Sequence, residues 1–331
     1  MIKIVIDKDI PFLEGLFDPF ARVVRIAGKD IGADAVKDAD ALIVRTRTKC
    51  NAALLEHSTI KLIATATIGT DHIDTDWCRS RGIEVCNAPG CNARAVLQWV
   101  AAVLVHLLRR RKSRPEQTTL GIIGVGHVGS LVLEYAEMWG FKTLCCDPPR
   151  EEREHLGFMS ARDVFMRSDI VTLHVPLDAT TYHLVDKDML SSAHKPFIIN
   201  ASRGETVDTE AILASGAEFA LDVWEGEPNI DLRALARAEV ATPHIAGYSL
   251  QGKANASAAV VQAIARYFGL PLTEWYPSLA ERSKPSPITW EQLCSRIGSY
   301  CDIDAESHRL KEHPHQFEKI RNEYDYRQEF F

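Results

Sequence analysis

The stretch TLGIIGVGHVGSLVLEYAEMWGFKTLCCD, residues 119–147, restricts the fold more than any other part of the chain. An apolar run of strand character opens into a glycine-rich turn, the turn into a segment of helical periodicity, and that segment into a second apolar run that ends on an acid. Strand, turn, helix and strand in so short a span make a βαβ unit, whose two strands have to lie parallel.

Gly124, Gly126 and Gly129 of this stretch stand in the spacing G-x-G-x-x-G. In a dinucleotide site the first glycine permits the tight turn, the second lets backbone approach a pyrophosphate, and the third lets the helix lie close to the sheet. A phosphate then faces the helix N-terminus. The triplet alone is a short motif that a structural turn also satisfies. Its context adds Asp147 at the end of the next strand, within the ~20 residues expected of the acid that binds the adenine ribose diol. A carboxylate there repels a 2′-phosphate, so NAD is expected over NADP, with Arg150 in DPPR as the opposing feature.

The alternation continues on both sides. KIVID, ALIVRT, KLIATAT and IEVCNAP read as strands in the first ninety or so residues, with NAALLEH and residues 73–81 as helices. Six strand-and-turn units follow residue 118: TLGIIGVG, FKTLCCD, DIVTLHVP, FIINASRG, EFALDVW and VATPHIAG. The expected fold class is α/β, with two doubly wound parallel-sheet domains, a Rossmann NAD domain and a flavodoxin-like substrate domain. A long amphipathic segment over 92–111 carries the chain into the second domain, and SLQGKANASAAVVQAIARYFG reads as one helix that returns to the first. The expected boundaries are 1–93 with 250–272 for a discontinuous substrate-binding domain and 94–249 for the NAD domain. Residues 273–331, proline-rich and then charged and aromatic, read as a small C-terminal appendage.

Length and charge agree with this division. A chain of 331 residues has room for two cores. Its 46% hydrophobic and 25% charged residues are those of a globular protein. A formal charge of −7 argues against nucleic-acid partners, which need clustered lysine and arginine. The N-terminal MIKIVIDKD lacks a secretory pattern, and the apolar stretch from Val96 to Leu108 is too short to span a bilayer, so the expected location is cytoplasmic with no membrane partner. Eight cysteines scattered without CxxC pairs indicate neither disulfides nor zinc, and no metal is expected.

Ligands of open α/β sheets bind outside the carboxyl ends of the strands. Three ionisable residues fall there: Arg203 after FIINAS, Glu227 after EFALDVW, and His244 in VATPH. Singly they read as a loop cation, a turn acid before Pro228 and a histidine satisfied in a turn. Together on one rim they suit hydride transfer from a 2-hydroxy acid to NAD. Arginine holds a carboxylate and polarises the neighbouring oxygen. Histidine carries the alcohol proton, and the acid fixes its tautomer. Of the other histidines, His72 and His174 are the ones expected to line a cleft.

With GxGxxG and its downstream Asp, NASRGxxVD, LDVWEGEP and TPHIAG in that order, the chain over about residues 1–270 resembles the D-isomer-specific 2-hydroxyacid dehydrogenases. The resemblance implies that Arg203, Glu227 and His244 are catalytic and that Asp222 faces the nicotinamide carboxamide. ALIVRTRTK, TATIGTDHID, APGCNA, CDPPR, DVWEGEP and HIAGYSLQGKA are similar to the branch of that family which oxidises 4-phosphoerythronate in pyridoxal phosphate biosynthesis. That likeness implies Thr46, Thr67 and Tyr248 at the substrate. It implies His127, Val128, Asp147, Val175, Ala201, Ser202, Asp222 and Gly247 at NAD. Thr46 departs from the branch's serine and Val175 from its threonine. The C-terminal region forms a dimerisation domain in the branch, and here it reads as shorter, with a homodimer still expected. A phosphorylated substrate needs a counter-charge, which Arg45, Arg47 and Lys49 offer; Arg45 is the expected ligand. The competing functions are oxidation of another 2-hydroxy acid (phosphoglycerate, lactate or glycerate) and a nonenzymatic NAD-sensing corepressor on the same fold.

Overall fold

In both sheets of the computed structural model, which describes residues 1–191 and 194–331, every strand pair is parallel. The chain divides into two units, Met1–Asn92 with Leu250–Ser283 and Ala93–Ser249 with Lys284–Phe331.

The first unit holds β1 (Ile2–Asp7), β2 (Ala21–Ile26), β3 (Ala41–Val44), β4 (Leu62–Thr65) and β5 (Glu84–Cys86), in the order β2-β1-β3-β4-β5. β3 and β4 are buried at every residue, as strands covered on both faces must be. Alternate residues point to opposite faces. Val5, Leu42 and Ile63 join one apolar layer. Ile4, Ile6, Ile43 and Leu62 join the other, against Val260, Val261 and Ile264 of the helix Leu250–Phe268. The sequence reading passed over β2, because Arg22 and Arg25 interrupt its apolar run. β2 pairs with β1 alone, and an edge strand tolerates such residues, Arg25 reaching Asp18 at 2.9 Å.

The second unit holds β6 (Thr119–Ile123), β7 (Lys142–Cys146), β8 (Ile170–Leu173), β9 (Phe197–Asn200), β10 (Phe219–Leu221) and β11 (Val240–Ala241). Their order is β11-β10-β9-β8-β6-β7. The chain leaves β6 for β7 on one side and returns to β8 on the other, so the topological switch point lies between β6 and β8. The helix Ala93–Arg111 closes one face, with Trp99, Val103 and Leu107 in a core shared with Leu120, Ile122 and Ile199.

Residues 284–331 are part of this second unit. The helices Trp290–Tyr300, Ile303–Glu312 and Phe317–Asn322 carry apolar residues at helical spacing, and these have to be covered. Leu293, Ile297 and Ile303 enter the core of the helix Ala93–Arg111, and Leu310, Phe317 and Ile320 enter the core on the other face of the sheet. The appendage expected over 273–331 is thus divided, residues up to Ser283 grouping with the first unit. No helix among the described residues is long and apolar enough to cross a membrane.

Candidate active site

At the end of β6 the three motif glycines meet different demands. Gly124 takes a left-handed φ of +86°, and a β-carbon on it would lie 2.5 Å from the His174 carbonyl oxygen. A β-carbon on Gly129 would lie 1.9 Å from the Gly124 carbonyl oxygen. Around Gly126 no atom comes within 4 Å of such a carbon, so the space beside the helix His127–Trp139 is open. Gly126 is the N-cap of that helix and supplies no side-chain acceptor. Its first-turn amides are therefore available to an anion. Gly126 and His127 are exposed and Val128 is half-buried at this turn.

Asp147 closes the same turn. Its carboxylate accepts from Val125 N at 2.7 Å and from Arg150 N at 3.0 Å, the second bond capping the helix Pro148–Glu154. Arg150, the feature opposing NAD, is paired with Glu154 at 2.6 Å and donates to the Val125 carbonyl at 2.8 Å. Its charge is compensated locally. Glycine cradle, uncapped helix and terminal acid all fit a dinucleotide. Val175 packs against the turn, its Cγ1 2.9 Å from where a Gly124 β-carbon would stand. Burial pushes His174 down to about 3, so the ring is neutral, 3.0 Å from the Thr172 hydroxyl. The His174 backbone carbonyl, not the ring, faces Gly124.

Arg203, Glu227 and His244 follow β9, β10 and β11, which are adjacent. The Asn200 side chain fixes the turn after β9: its oxygen accepts from Ser202 N at 3.0 Å and Ser202 Oγ at 2.8 Å, and its nitrogen donates to the Arg203 carbonyl at 2.9 Å. Ala201 is half-buried and Ser202 buried in this turn. Arg203 Nη1 donates to the Ser202 carbonyl at 2.8 Å.

Asp222 holds the loop after β11. Its Oδ1 accepts from the Thr242 hydroxyl at 2.6 Å and Ile245 N at 2.8 Å, and its Oδ2 from Ala246 N at 2.9 Å. Burial pushes its carboxyl up, against the His244 charge and these donors. Thr242 is itself held by Trp99 Nε1 at 3.0 Å and by Trp224 Nε1, which reaches its carbonyl at 2.9 Å. Within this frame His244 adopts φ +58°, an uncommon conformation for a residue with a side chain.

His244 Nδ1 lies 2.5 Å from Glu227 Oε1. Burial pushes the Glu227 carboxyl up, but the His244 hydrogen bond and charge, followed by the charges of Arg321 and Arg203, outweigh it and hold the group below the usual carboxylate range. A charged carboxylate only accepts. Nδ1 therefore carries the proton of that bond, and in the neutral ring Nε2 is the free base. The rim can take a proton at Nε2 and hold an anion at Arg203.

The C-terminal segment supplies residues the sequence reading missed. Arg321 Nε donates to the Tyr248 hydroxyl at 3.1 Å, with the guanidinium 5.9 Å from the ring centroid. Arg327 donates to the Ile245 carbonyl at 3.1 Å and to the Ala246 carbonyl, and Glu329 accepts from Ser249 Oγ at 2.8 Å. The loop carrying His244, Gly247 and Tyr248 is thus held from below by Asp222 and from the side by the chain's last residues. No local pattern signals this, since the partners lie more than seventy positions apart.

In the first unit Thr46 is exposed just past β3, and Thr67 is half-buried, its hydroxyl 2.6 Å from that of Thr65 and donating to the Gly69 carbonyl at 2.8 Å. His72 Nε2 lies 3.1 Å from Thr65 Oγ1. Arg45 is engaged by two carboxylates, Asp7 at 2.9 Å and Asp9 at 3.1 Å. Two of the Arg45 nitrogens are thus already taken by carboxylates.

Residues 95–246 match the family model for the D-isomer specific 2-hydroxyacid dehydrogenase NAD binding domain. The chain is 42% identical to the erythronate-4-phosphate dehydrogenase of Bacteroides thetaiotaomicron, over 99% of this chain and 97% of that protein. It is 37% identical to the enzyme of the same name from Edwardsiella ictaluri, over 99% and 93%. Among solved structures it is similar to D-lactate dehydrogenase from Aquifex aeolicus complexed with NAD and lactic acid. The TM-score is 0.68 at 25% identity, covering 81% of this chain and 96% of that one.

Proposed function

The chain belongs to the erythronate-4-phosphate dehydrogenases, within the D-isomer-specific 2-hydroxyacid dehydrogenase family, and is an NAD-dependent dehydrogenase. From that premise we propose that it oxidises 4-phospho-D-erythronate to 2-oxo-3-hydroxy-4-phosphobutanoate in pyridoxal 5′-phosphate biosynthesis. The observation that carries the mechanism is the 2.5 Å contact between His244 Nδ1 and Glu227 Oε1, on a rim that also bears Arg203.

NAD, when bound, would supply the acceptor for the hydride from C2 of the substrate. Gly124, Gly126, His127, Val128 and Gly129 would hold its pyrophosphate and Asp147 its ribose diol, and Val175, Ala201, Ser202 and Gly247 would line the rest of it. Asp222 would keep one acceptor position for the carboxamide. A carboxylate offers about four lone-pair positions, and three serve Thr242, Ile245 and Ala246.

Arg203 binds the C1 carboxylate and polarises the C2 oxygen as it becomes a carbonyl. His244 Nε2 takes the C2 hydroxyl proton and becomes imidazolium, which the Glu227 carboxylate stabilises. In the reverse direction the same imidazolium returns the proton. Tyr248, Thr46 and Thr67 supply hydroxyls for the substrate's own. The active form is a homodimer, which light scattering on the purified chain measures.

The test is turnover of 4-phospho-D-erythronate with NAD, followed by NADH absorbance beside a panel of phosphoglycerate, lactate and glycerate. The reading expects the four-carbon phosphorylated acid to have the highest kcat/KM. A higher value for any other acid removes the proposed substrate.

A further inference from the structure

We propose that Arg321, brought to the catalytic rim by the C-terminal segment, is the guanidinium that binds the phosphate of the substrate; this rests on the substrate reading above. A 4-phosphorylated 2-hydroxy acid has two anionic ends. Arg203 serves the carboxylate, so the phosphate needs a second cation.

Arg321 has the geometry for it. Nε is engaged by the Tyr248 hydroxyl at 3.1 Å, which fixes the plane of the guanidinium. The Nη1 and Nη2 groups make no hydrogen bond or ion pair among the described residues, and neither is sealed from solvent. Two terminal nitrogens held in one plane form the fork that receives two phosphate oxygens. Tyr248 belongs to the same loop as His244. Arg321 and Arg203 both pull down the Glu227 carboxyl, so both charges lie within electrostatic reach of the reacting group.

The position is built on both sides. Phe317 and Ile320, just before Arg321, are buried in the core of the second unit. After it, Tyr324 packs edge-on to Tyr248 with centroids 6.2 Å apart, and Arg327 is tied to the carbonyls of Ile245 and Ala246. A guanidinium held this way loses little entropy on binding. Arg45, already paired with Asp7 and Asp9, has no comparable set of open donors.

The experiment compares full-length wild type, Arg321→Met, Arg321→Lys and Arg45→Met for kcat/KM on 4-phospho-D-erythronate and on D-erythronate. Arg321→Met is expected to lose on the order of 10²-fold on the phosphorylated acid, mostly in KM, and under about 5-fold on D-erythronate, as loss of two charge-assisted bonds to phosphate alone predicts. Arg321→Lys restores part of the loss, and Arg45→Met shows less selectivity than Arg321→Met. Equal losses on both acids, or no loss, overturn the inference. NAD affinity and thermal midpoints report whether each variant is folded, and should Arg321→Met fail to fold, the same selectivity is read from Arg321→Lys. If wild type oxidises neither acid, the substrate reading has failed, and inorganic phosphate decides the inference alone. Calorimetric binding of phosphate to NAD-loaded wild type that is lost in the Arg321 variants supports it, and binding that is absent or unchanged overturns it.

Discussion

Gly204 lies so close to Trp224 that a β-carbon on it would stand 2.0 Å from the Trp224 carbonyl carbon. The strand end that carries Arg203 is thereby pressed against the loop that carries Glu227. This is why a glycine follows the arginine: only hydrogen fits between the two backbones, and the contact sets the spacing of the loops that carry Arg203 and Glu227.

Gly204→Ala is accordingly expected to separate those loops. A displacement near 1 Å costs on the order of 10²-fold where catalysis depends on position. Steady-state kinetics should show kcat/KM falling by at least ~10-fold, with a smaller loss of NAD affinity, to which the turn after β6 contributes apart from Ala201 and Ser202. Wild-type kinetics in this variant would show that the contact does not set the site.

His244→Asn separates chemistry from conformation. Asparagine adopts the left-handed region more readily than most residues, so the loop is kept. Turnover is expected to fall by ~10² to 10⁴-fold, the usual contribution of a positioned acid–base group. The thermal midpoint should fall only about as far as Glu227→Gln lowers it at neutral pH, since both variants lose the same contact. A variant that retains turnover contradicts the role given to the ring.

Glu227 makes a prediction about acid. Its folded-state pKa is depressed, with the His244 contact the largest cause that lowers it. The stability this provides is fully present above the unfolded value of ~4.3 and is lost as pH falls through the lower folded value. The difference in thermal midpoint between wild type and Glu227→Gln should therefore be largest near neutrality and shrink below about pH 4. A difference that stays constant from pH 7 to pH 3 would sink this account of the pair.

Asp147→Ala should weaken NAD by roughly 10-fold or more and narrow its advantage over NADP. Removing Glu154 as well releases Arg150 from its 2.6 Å ion pair and should improve NADP further. Fluorescence titration with both cofactors measures this. An unchanged NAD to NADP ratio in the double variant contradicts the assignment.

What the sequence made legible follows from the range of the interactions. β3, β4, β6, β8 and β9 are mostly apolar, buried runs with turn residues after them, and the glycine spacing lies within one turn and one helix. Arg203, Glu227 and His244 could be found because each stands a few residues past a strand end, of β9, β10 and β11 in turn. β2 was hidden by Arg22 and Arg25, which an edge position accommodates. Asp222 could be located but its support of the His244 loop could not, because that depends on three donors twenty or more residues away. Arg321 and Arg327 were beyond sequence reading altogether. They sit in a charged, aromatic tail whose one short helix carries few apolar residues, and the buried Phe317, Ile320 and Phe331 together with long-range hydrogen bonds determine where that tail lies.

The central claim is that hydride leaves C2 of a phosphorylated 2-hydroxy acid while His244 takes the hydroxyl proton. The measurement that tests it most directly is a single turnover of 4-phospho-D-[2-²H]erythronate with excess NAD, with the reduced cofactor analysed by mass spectrometry. The account predicts one deuterium in the cofactor for wild type and a rate lower by ~10² or more for His244→Asn. Reduced cofactor without deuterium, or equal rates for the two proteins, would contradict it.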